Sequence, residues 1–301
     1  MNASGPNDSG WIAVAVDLPA HLEDQAIAAF WEAGCLGVEG RAAARRPKEP
    51  RVALEAWFPG RAAAAAVGRR VVASLAAAGV APAPRTRVRR VADGRWVEAW
   101  QKTLKPMPIG RRLLALPEAC RPPVVTDRIV LRIPFGQAFG TGEHASTRLS
   151  LRLLERWLRP GDRVVDLGTG TAILAVAAAR LGAGPVLAVD ADPVAVRVAR
   201  ETLRRNRPAP DVRLRTEDAA VTLRGGRFDL ALVNIGATVI QRILPDLGRA
   251  LVPGGRAILA GILVEDEAPI ENAARAAGLC RAARLRTPPW SALLLRRDQR
   301  S

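Results

Sequence analysis

Several residue types that mark particular protein classes are rare or missing in this chain of 301 residues. Tyrosine is absent, and the only cysteines are Cys35, Cys120 and Cys280. These cysteines are far apart and form no Cys-x-x-Cys or Cys/His pattern, so neither a disulfide framework nor a zinc site is expected. Because extracellular domains of limited core size rely on disulfides, this cysteine usage fits a reducing cytoplasm.

Long apolar runs are also missing. The longest apolar stretches are rich in alanine and are interrupted by arginine well before the ~20 residues needed to cross a bilayer. Residues 1–10 have neither a basic segment nor an apolar core, so they do not resemble a signal peptide, and we expect them to lack regular structure. The sequence therefore predicts a cytoplasmic protein without a membrane partner.

Negative charge is in short supply. There are 45 Lys and Arg residues against 29 Asp and Glu, which gives a net charge of +16. Such an excess is typical of proteins that bind polyanions. Nearly all of it is arginine, however, in a chain that is also rich in Ala, Gly and Pro, so we attribute the charge to overall composition. Direct nucleic-acid binding is not expected to be the primary role.

The first part of the chain has a β-α-β-β-α-β pattern. Alternating or β-branched runs predict the strands, and apolar residues at helical spacing predict the helices. The predicted elements are a strand at 11–17, a helix at 21–33, strands at 35–39 and 52–58, a helix at 61–78 and a strand at 85–91. This order is typical of a small ferredoxin-like α+β domain, which we assign to residues 1–92.

A connection follows at 93–110, with a short helix at 96–104 that ends before Lys105-Pro106-Met107-Pro108. From residue 111 to residue 301, strands and helices alternate. Alternation of this kind predicts a doubly wound α/β domain with a parallel sheet covered by helices on both faces. The last two apolar segments, 279–285 and 291–297, flank a Pro-Pro turn and are expected to pair antiparallel.

A glycine-rich turn follows the first strand of this α/β domain. The strand ends at Asp166-Leu167, and Gly168-Thr169-Gly170 leads into an apolar helix. Asp190 ends the next strand, 22 residues after Gly168, where a carboxylate can accept hydrogen bonds from the ribose hydroxyls of a nucleotide. NAD is disfavoured because Ile173 occupies the third glycine position of its motif. The Asp-x-Gly-x-Gly arrangement favours S-adenosylmethionine (SAM).

Asn234 follows a later strand, at the sheet edge where ligands of α/β proteins bind. Its amide can accept from or donate to an incoming amine. Base methylases of nucleic acids have Asn-Pro-Pro and an aromatic residue at this point, and the aromatic ring stacks on the flipped base. Here Ile235 and Gly236 follow instead. An amine is therefore a better acceptor candidate than a base.

The segment 135–147 combines two phenylalanines, three glycines and one of the two histidines of the chain. Such a composition is poor for a strand or a helix and suits a ligand-binding loop. His144 is consequently a candidate site residue, although most single histidines have structural roles.

Together these motifs resemble the PrmA family of bacterial methyltransferases that act on ribosomal protein L11. The resemblance covers nearly the whole chain, and its most specific part is Ala-Phe-Gly-Thr-Gly at 138–142. The matching motifs are Trp96-Val97-x-x-Trp100, Lys105-Pro106-Met107, residues 138–142 with His144 and Thr147, Asp166-x-Gly168-x-Gly170, Asp190-x-Asp192-Pro193, Asn234-Ile235, Pro253-Gly254-Gly255 and Gly261-Ile262-Leu263.

The resemblance implies a two-domain enzyme whose ferredoxin-like domain recognises the ribosomal protein. We expect it to be a monomer. The α/β domain would transfer methyl groups from SAM to lysine side chains and to the N-terminal amine, without a metal. The residues implied to bind the cofactor are Phe139, Gly140, Thr141, Thr147, Gly168, Gly170, Asp190 and Asn234. Asn234 and His144 would act on the attacking amine.

Four residues depart from the family pattern: Glu143, Ala145, Ala172 and Gly236. The family has Thr, Pro, Gly and Leu there, so cofactor fit and substrate choice could differ. One alternative is a methyltransferase of similar build that acts on another protein. Another is a non-catalytic binding protein for ribosome assembly, against which the intact Asp190 and Asn234 argue.

Overall fold

The computed structural model describes residues 11–19, 22–35, 37–42, 51–59, 64–82, 84–91, 105–117, 120–121, 123, 125–133, 144–207 and 212–298. The chain divides into two compact units, Met1–Thr103 and Leu104–Ser301. Within the described residues, no helix is long and apolar enough to cross a membrane.

The first unit is the predicted ferredoxin-like fold. Its elements are β1 (Trp11–Pro19), α1 (Glu23–Glu32), β2 (Gly37–Ala42), β3 (Arg51–Pro59), α2 (Ala64–Ala77) and β4 (Thr86–Val91). The strands form an antiparallel sheet in the order β2-β3-β1-β4. Alternate β1 residues, among them Ile12 and Val14, are buried in one core with Phe30 of α1 and Val71 of α2. The period-two burial of β1 thus places both helices on one face of the sheet.

The second unit begins with a small sheet that the sequence analysis missed. Its strands are β5 (Met107–Ile109), β6 (Leu113–Pro117) and β7 (Ile129–Ile133), in the order β5-β6-β7. Residues 107–109 therefore form a strand, although the sequence placed them in a connection. The predicted helix at 96–104 lies outside the described residues.

The main sheet of the second unit has seven strands. Its elements are α3 (Ala145–Trp157), β8 (Val164–Leu167), α4 (Ile173–Arg180), β9 (Val186–Asp190), α5 (Pro193–Asn206), β10 (Val212–Thr216), α6 (Ala219–Gly225), β11 (Phe228–Asn234), α7 (Ala237–Ala250), β12 (Leu251–Leu263), α8 (Glu267–Ala276), β13 (Leu279–Thr287) and β14 (Trp290–Arg297). The strand order is β10-β9-β8-β11-β12-β14-β13. Strands β8 to β12 are parallel, and β14 is antiparallel to both of its neighbours. The predicted doubly wound α/β sheet and its antiparallel end are confirmed.

Successive residues of the central strands enter two different cores. Leu230 and Leu232 of β11 belong to one apolar cluster, whereas Ala231 and Val233 belong to the other. A strand buried on both faces must be apolar at nearly every position, which explains why β8 and β11 are recognisable as short apolar runs.

Polar side-chain contacts hold two strands of this unit, β12 and β7, in position. Arg256 of β12 pairs with Asp162 through Nη2 and Oδ1 at 2.7 Å, and both side chains are buried. Arg256 also donates to the backbone oxygen of Trp157. At the end of α5, Asn206 Oδ1 accepts from the Arg132 N–H at 2.8 Å and Nδ2 donates to the Arg132 oxygen at 2.7 Å. Asn206 thereby forms with β7 the pair of backbone hydrogen bonds that a neighbouring strand would form.

Candidate active site

The glycine-rich turn after β8 has the backbone conformation that its residues predict. Gly168 and Gly170 have φ values of +67° and +54°. A Cβ at Gly168 would lie 2.4 Å from Ile235 Cγ2, so a larger residue would displace the Ile235 side chain. The turn therefore needs glycine at Gly168 for both conformation and space.

Ala172 shares this left-handed conformation, with φ +62° and ψ +19° just before α4. Its methyl group is completely buried within the apolar cluster that contains Leu230 and Leu232. The departure at Ala172 thus places a methyl group in the core at the cost of a conformation that favours glycine.

Asp166 supports the turn from within the sheet. Its Oδ2 accepts from the Thr169 hydroxyl at 2.6 Å and from the Ala175 N–H at 3.1 Å. Burial raises the pKa of Asp166 to about 7, and these two hydrogen bonds oppose the shift. Asp166 is therefore buried behind the turn and fixes its shape.

Asp190 lies at the carboxyl end of β9, beside the turn. Its Oδ2 accepts from the Gly170 N–H at 2.9 Å, and its Oδ1 accepts from the Asp192 N–H at 3.0 Å. Two backbone groups therefore orient the carboxylate. An ionised carboxylate has about four lone-pair sites, so acceptor capacity remains for the hydroxyls of a ribose.

Asn234 ends β11 and meets the first turn of α3. Its Nδ2 donates to Thr147 Oγ1 at 3.3 Å, which brings together two predicted site residues that are 87 positions apart. Asn234 is 8% exposed, and its Oδ1 has no hydrogen-bond partner among the described residues. A buried polar atom without a partner costs free energy, so an acceptor left open here points to a bound ligand.

His144 is the N-cap of α3. Its Nδ1 accepts from the Ser146 N–H at 3.3 Å and lies 2.7 Å from Ser146 Oγ. Burial, with a smaller contribution from the Arg148 charge, lowers the pKa of His144 to about 4. The ring is therefore neutral at pH 7, and because Nδ1 accepts, the proton is on Nε2.

Trp290 is a candidate site residue that the sequence analysis missed. It begins β14, pairs with Leu263 at the carboxyl end of β12, and its ring lies 4.5 Å from the His144 ring in an edge-to-face arrangement. No motif contains Trp290, and only the pairing of the C-terminal hairpin with β12 brings it to this edge.

The remaining predicted residues cannot be placed in the same way. Phe139, Gly140, Thr141 and Glu143 lie outside the described residues. Across the part of the chain that the structure describes, no group of three or more His, Cys, Asp or Glu side chains could hold a metal ion.

Comparison with known families gives a match over nearly the whole chain. The family described as "Ribosomal protein L11 methyltransferase (PrmA)" matches residues 10–298. A relative named ribosomal protein L11 methyltransferase from Pelotomaculum thermopropionicum is 43% identical over 71% of this chain and 70% of its own length. One with the same name from Thermus thermophilus is 44% identical over 62% of this chain and 70% of its own length.

A solved structure shows the same likeness. The crystal structure of a ribosomal protein L11 methylase from Lactobacillus delbrueckii subsp. bulgaricus matches with a TM-score of 0.58 at 30% sequence identity. The match covers 64% of this chain and 96% of that one.

Proposed function

Because the chain belongs to the ribosomal protein L11 methyltransferase family, we propose that it methylates lysine side chains and the N-terminal amine of ribosomal protein L11. The chain is a SAM-dependent methyltransferase, as its family and fold establish. The observation that most supports an amine acceptor is the buried Asn234 Oδ1, which has no partner in the described structure.

We assign the cofactor to the carboxyl edge of the sheet, between β9 and β11. Asp190 would accept from the ribose, the turn at Gly168 and Gly170 would contact the methionine end, and Thr147 and Asn234 would close the site. The open Asn234 Oδ1 and the acceptor capacity that remains at the Asp190 carboxylate both support this fit. Phe139, Gly140 and Thr141 remain predicted contacts, since they lie outside the described residues.

SAM supplies a methyl group on a sulfonium sulfur, which a nitrogen lone pair attacks in line. The task of the protein is therefore to align a neutral amine. Lysine has an ordinary pKa near 10.4, so its ammonium must lose a proton, and removal from water favours the neutral form. Asn234 Oδ1 can accept from one remaining N–H and direct the lone pair.

A proton-accepting role for His144 is poorly supported. A ring with a pKa of about 4 is a weak base, and Nδ1 already accepts from Ser146. We therefore propose that His144 shapes the site and that solvent water takes the proton that the lysine ammonium loses.

Recognition of the ribosomal protein is assigned to the ferredoxin-like unit, because every predicted cofactor residue belongs to the second unit. A cytoplasmic location follows from such a substrate, and a monomer that does not depend on nucleic acid is the simplest assembly. A shortened protein that lacks the first unit and keeps the second should bind SAM but methylate L11 far more slowly.

The test is methyl transfer from tritiated SAM. Purified L11 and a lysate of a strain that lacks this protein would be incubated with the full chain, and labelled proteins would be separated by size. We expect label in L11 in both samples, and mass spectrometry should place it on amines. Label only in a different protein would support the alternative substrate, and no label at all, despite SAM binding, would contradict an enzyme acting on L11.

A further inference from the structure

The predicted site residues follow the order of the strands along the carboxyl edge of the main sheet. Asp190 ends β9, the glycine turn follows β8, and Asn234 ends β11. On the far side of β11 come β12 and then β14, which begins with Trp290. With the nucleoside by Asp190 and the reacting end by Asn234, β12 and β14 border the side of Asn234 that is farther from the nucleoside.

Trp290 and Asn234 lie on the same face of this sheet. Leu232, two residues before Asn234, and Ala292, two residues after Trp290, belong to the same apolar cluster, and Trp290 packs against that cluster. Because strand side chains alternate between faces, Asn234 and Trp290 share the face that Leu232 and Ala292 define.

The N-terminus of α3 joins these two residues. Thr147, in its first turn, contacts Asn234, and His144, at its cap, contacts Trp290. The first turn of α3 therefore links the reacting end of the site to the indole ring. All four residues are on one face of the sheet and at one edge of it.

From this arrangement we propose that Trp290, supported by His144, forms the wall of the acceptor site and contacts the amine-bearing side chain of the protein substrate. The inference rests on the proposed function, since it presumes an amine acceptor. Trp290 is only partly buried, unlike its neighbours Ala292 and Leu293, so part of the indole remains accessible.

The chemistry of the wall suits lysine. The four methylene groups of lysine are apolar and pack on an indole, while the amine at their end passes on to Asn234. An uncharged His144 beside the ring adds no positive charge that would repel the substrate. After transfer, the indole can stabilise the methylated ammonium through a cation–π interaction, which tryptophan provides best.

The test compares the parent, Trp290→Phe and Trp290→Leu as full chains. Steady-state kinetics would measure methylation of purified L11, and calorimetry would measure SAM binding. The matched control is Phe228→Leu, which removes an aromatic ring at the opposite end of β11, and thermal unfolding verifies that each variant folds. We expect Trp290→Leu to raise KM for L11 about five- to thirtyfold, because the lysine methylene groups lose much of the apolar surface on which they pack. SAM affinity should stay within about twofold, and Trp290→Phe should recover part of the loss.

The outcomes separate the two proposals. A parent enzyme that binds SAM but does not methylate L11 would overturn the proposed function, and the acceptor wall with it. If the parent methylates L11 and Trp290→Leu keeps the parent KM, the acceptor wall alone is overturned. If the leucine variant does not fold, an unchanged KM for Trp290→Phe overturns the wall in the same way. An equal loss of SAM affinity would place Trp290 at the cofactor and also overturn the inference.

Discussion

Replacing Asp166 with Asn should remove a specific pH dependence from the stability of the second unit. The pKa of Asp166 is about 7 in the folded protein against 3.8 for an ordinary aspartate. Between these values the folded state keeps a proton that the unfolded chain releases. The parent should therefore lose stability as pH rises from about 4 to about 7, with no further change from this group above that range.

The magnitude follows from the width of that interval. At about 1.4 kcal/mol per pH unit, an interval of roughly three units gives about 4 kcal/mol as an upper value. Asn cannot ionise, yet its Oδ1 can accept the same hydrogen bonds from Thr169 and Ala175 that Oδ2 of Asp166 accepts. The variant should equal the parent near pH 4 and exceed it progressively as pH rises.

Hydrogen exchange of the slowest amides of α4 and β11 would measure this difference, because it reports unfolding of the second unit by itself. Comparing the two proteins at each pH cancels the effect of His144, whose lowered pKa acts in the opposite direction between about 4 and 6.5. A difference in unfolding free energy that is the same at pH 4.5 and pH 7.5 would contradict a raised pKa for Asp166.

Three further predictions concern separate parts of the structure. Asp190→Ala removes a charged acceptor for the ribose and should weaken SAM binding about ten- to a hundredfold by calorimetry, and unchanged affinity would contradict its role. Arg256→Leu leaves the buried Asp162 carboxylate without its partner and should cost about 3 to 5 kcal/mol of unfolding free energy, whereas a cost under about 1 kcal/mol would show that the pair does not matter. Arg207 has φ +42° just after α5, a conformation that favours glycine. Arg207→Gly should therefore raise the free energy of unfolding by about 0.5 to 1 kcal/mol, whereas Arg200→Gly, on the exposed face of the same helix, should lower it by about 1 kcal/mol. A lower free energy of unfolding for both variants would contradict this expectation.

The central sheet could be predicted because its strands are short apolar runs that end at polar or glycine residues. Strand β9 ends at Asp190, as the sequence predicts, and the glycine turn follows from the same pattern. Strand β10 was missed although arginines alternate with its apolar residues, a pattern typical of an edge strand with one exposed side. By contrast, β5 has only three residues, too few to show any periodicity.

The site residues that belong to a local sequence motif could be predicted from the sequence. Asp190 and Asn234 each end a strand, and the parallel sheet brings such ends to one edge. Trp290 could not be found in this way, because its contact with His144 depends on the pairing of the last hairpin with β12. The hydrogen bond between Thr147 and Asn234 likewise requires the packing of α3 on the sheet.

The most direct test of amine alignment by Asn234 is the turnover of Asn234→Ala on L11 at saturating SAM. Because Asn234 Oδ1 is assigned to orienting the attacking amine, its loss should lower kcat about a hundredfold even when every enzyme molecule holds the cofactor. Asp190→Ala, measured alongside, should recover most of its turnover as SAM is raised. Full turnover of Asn234→Ala in excess SAM would contradict the assignment of amine alignment to the end of β11.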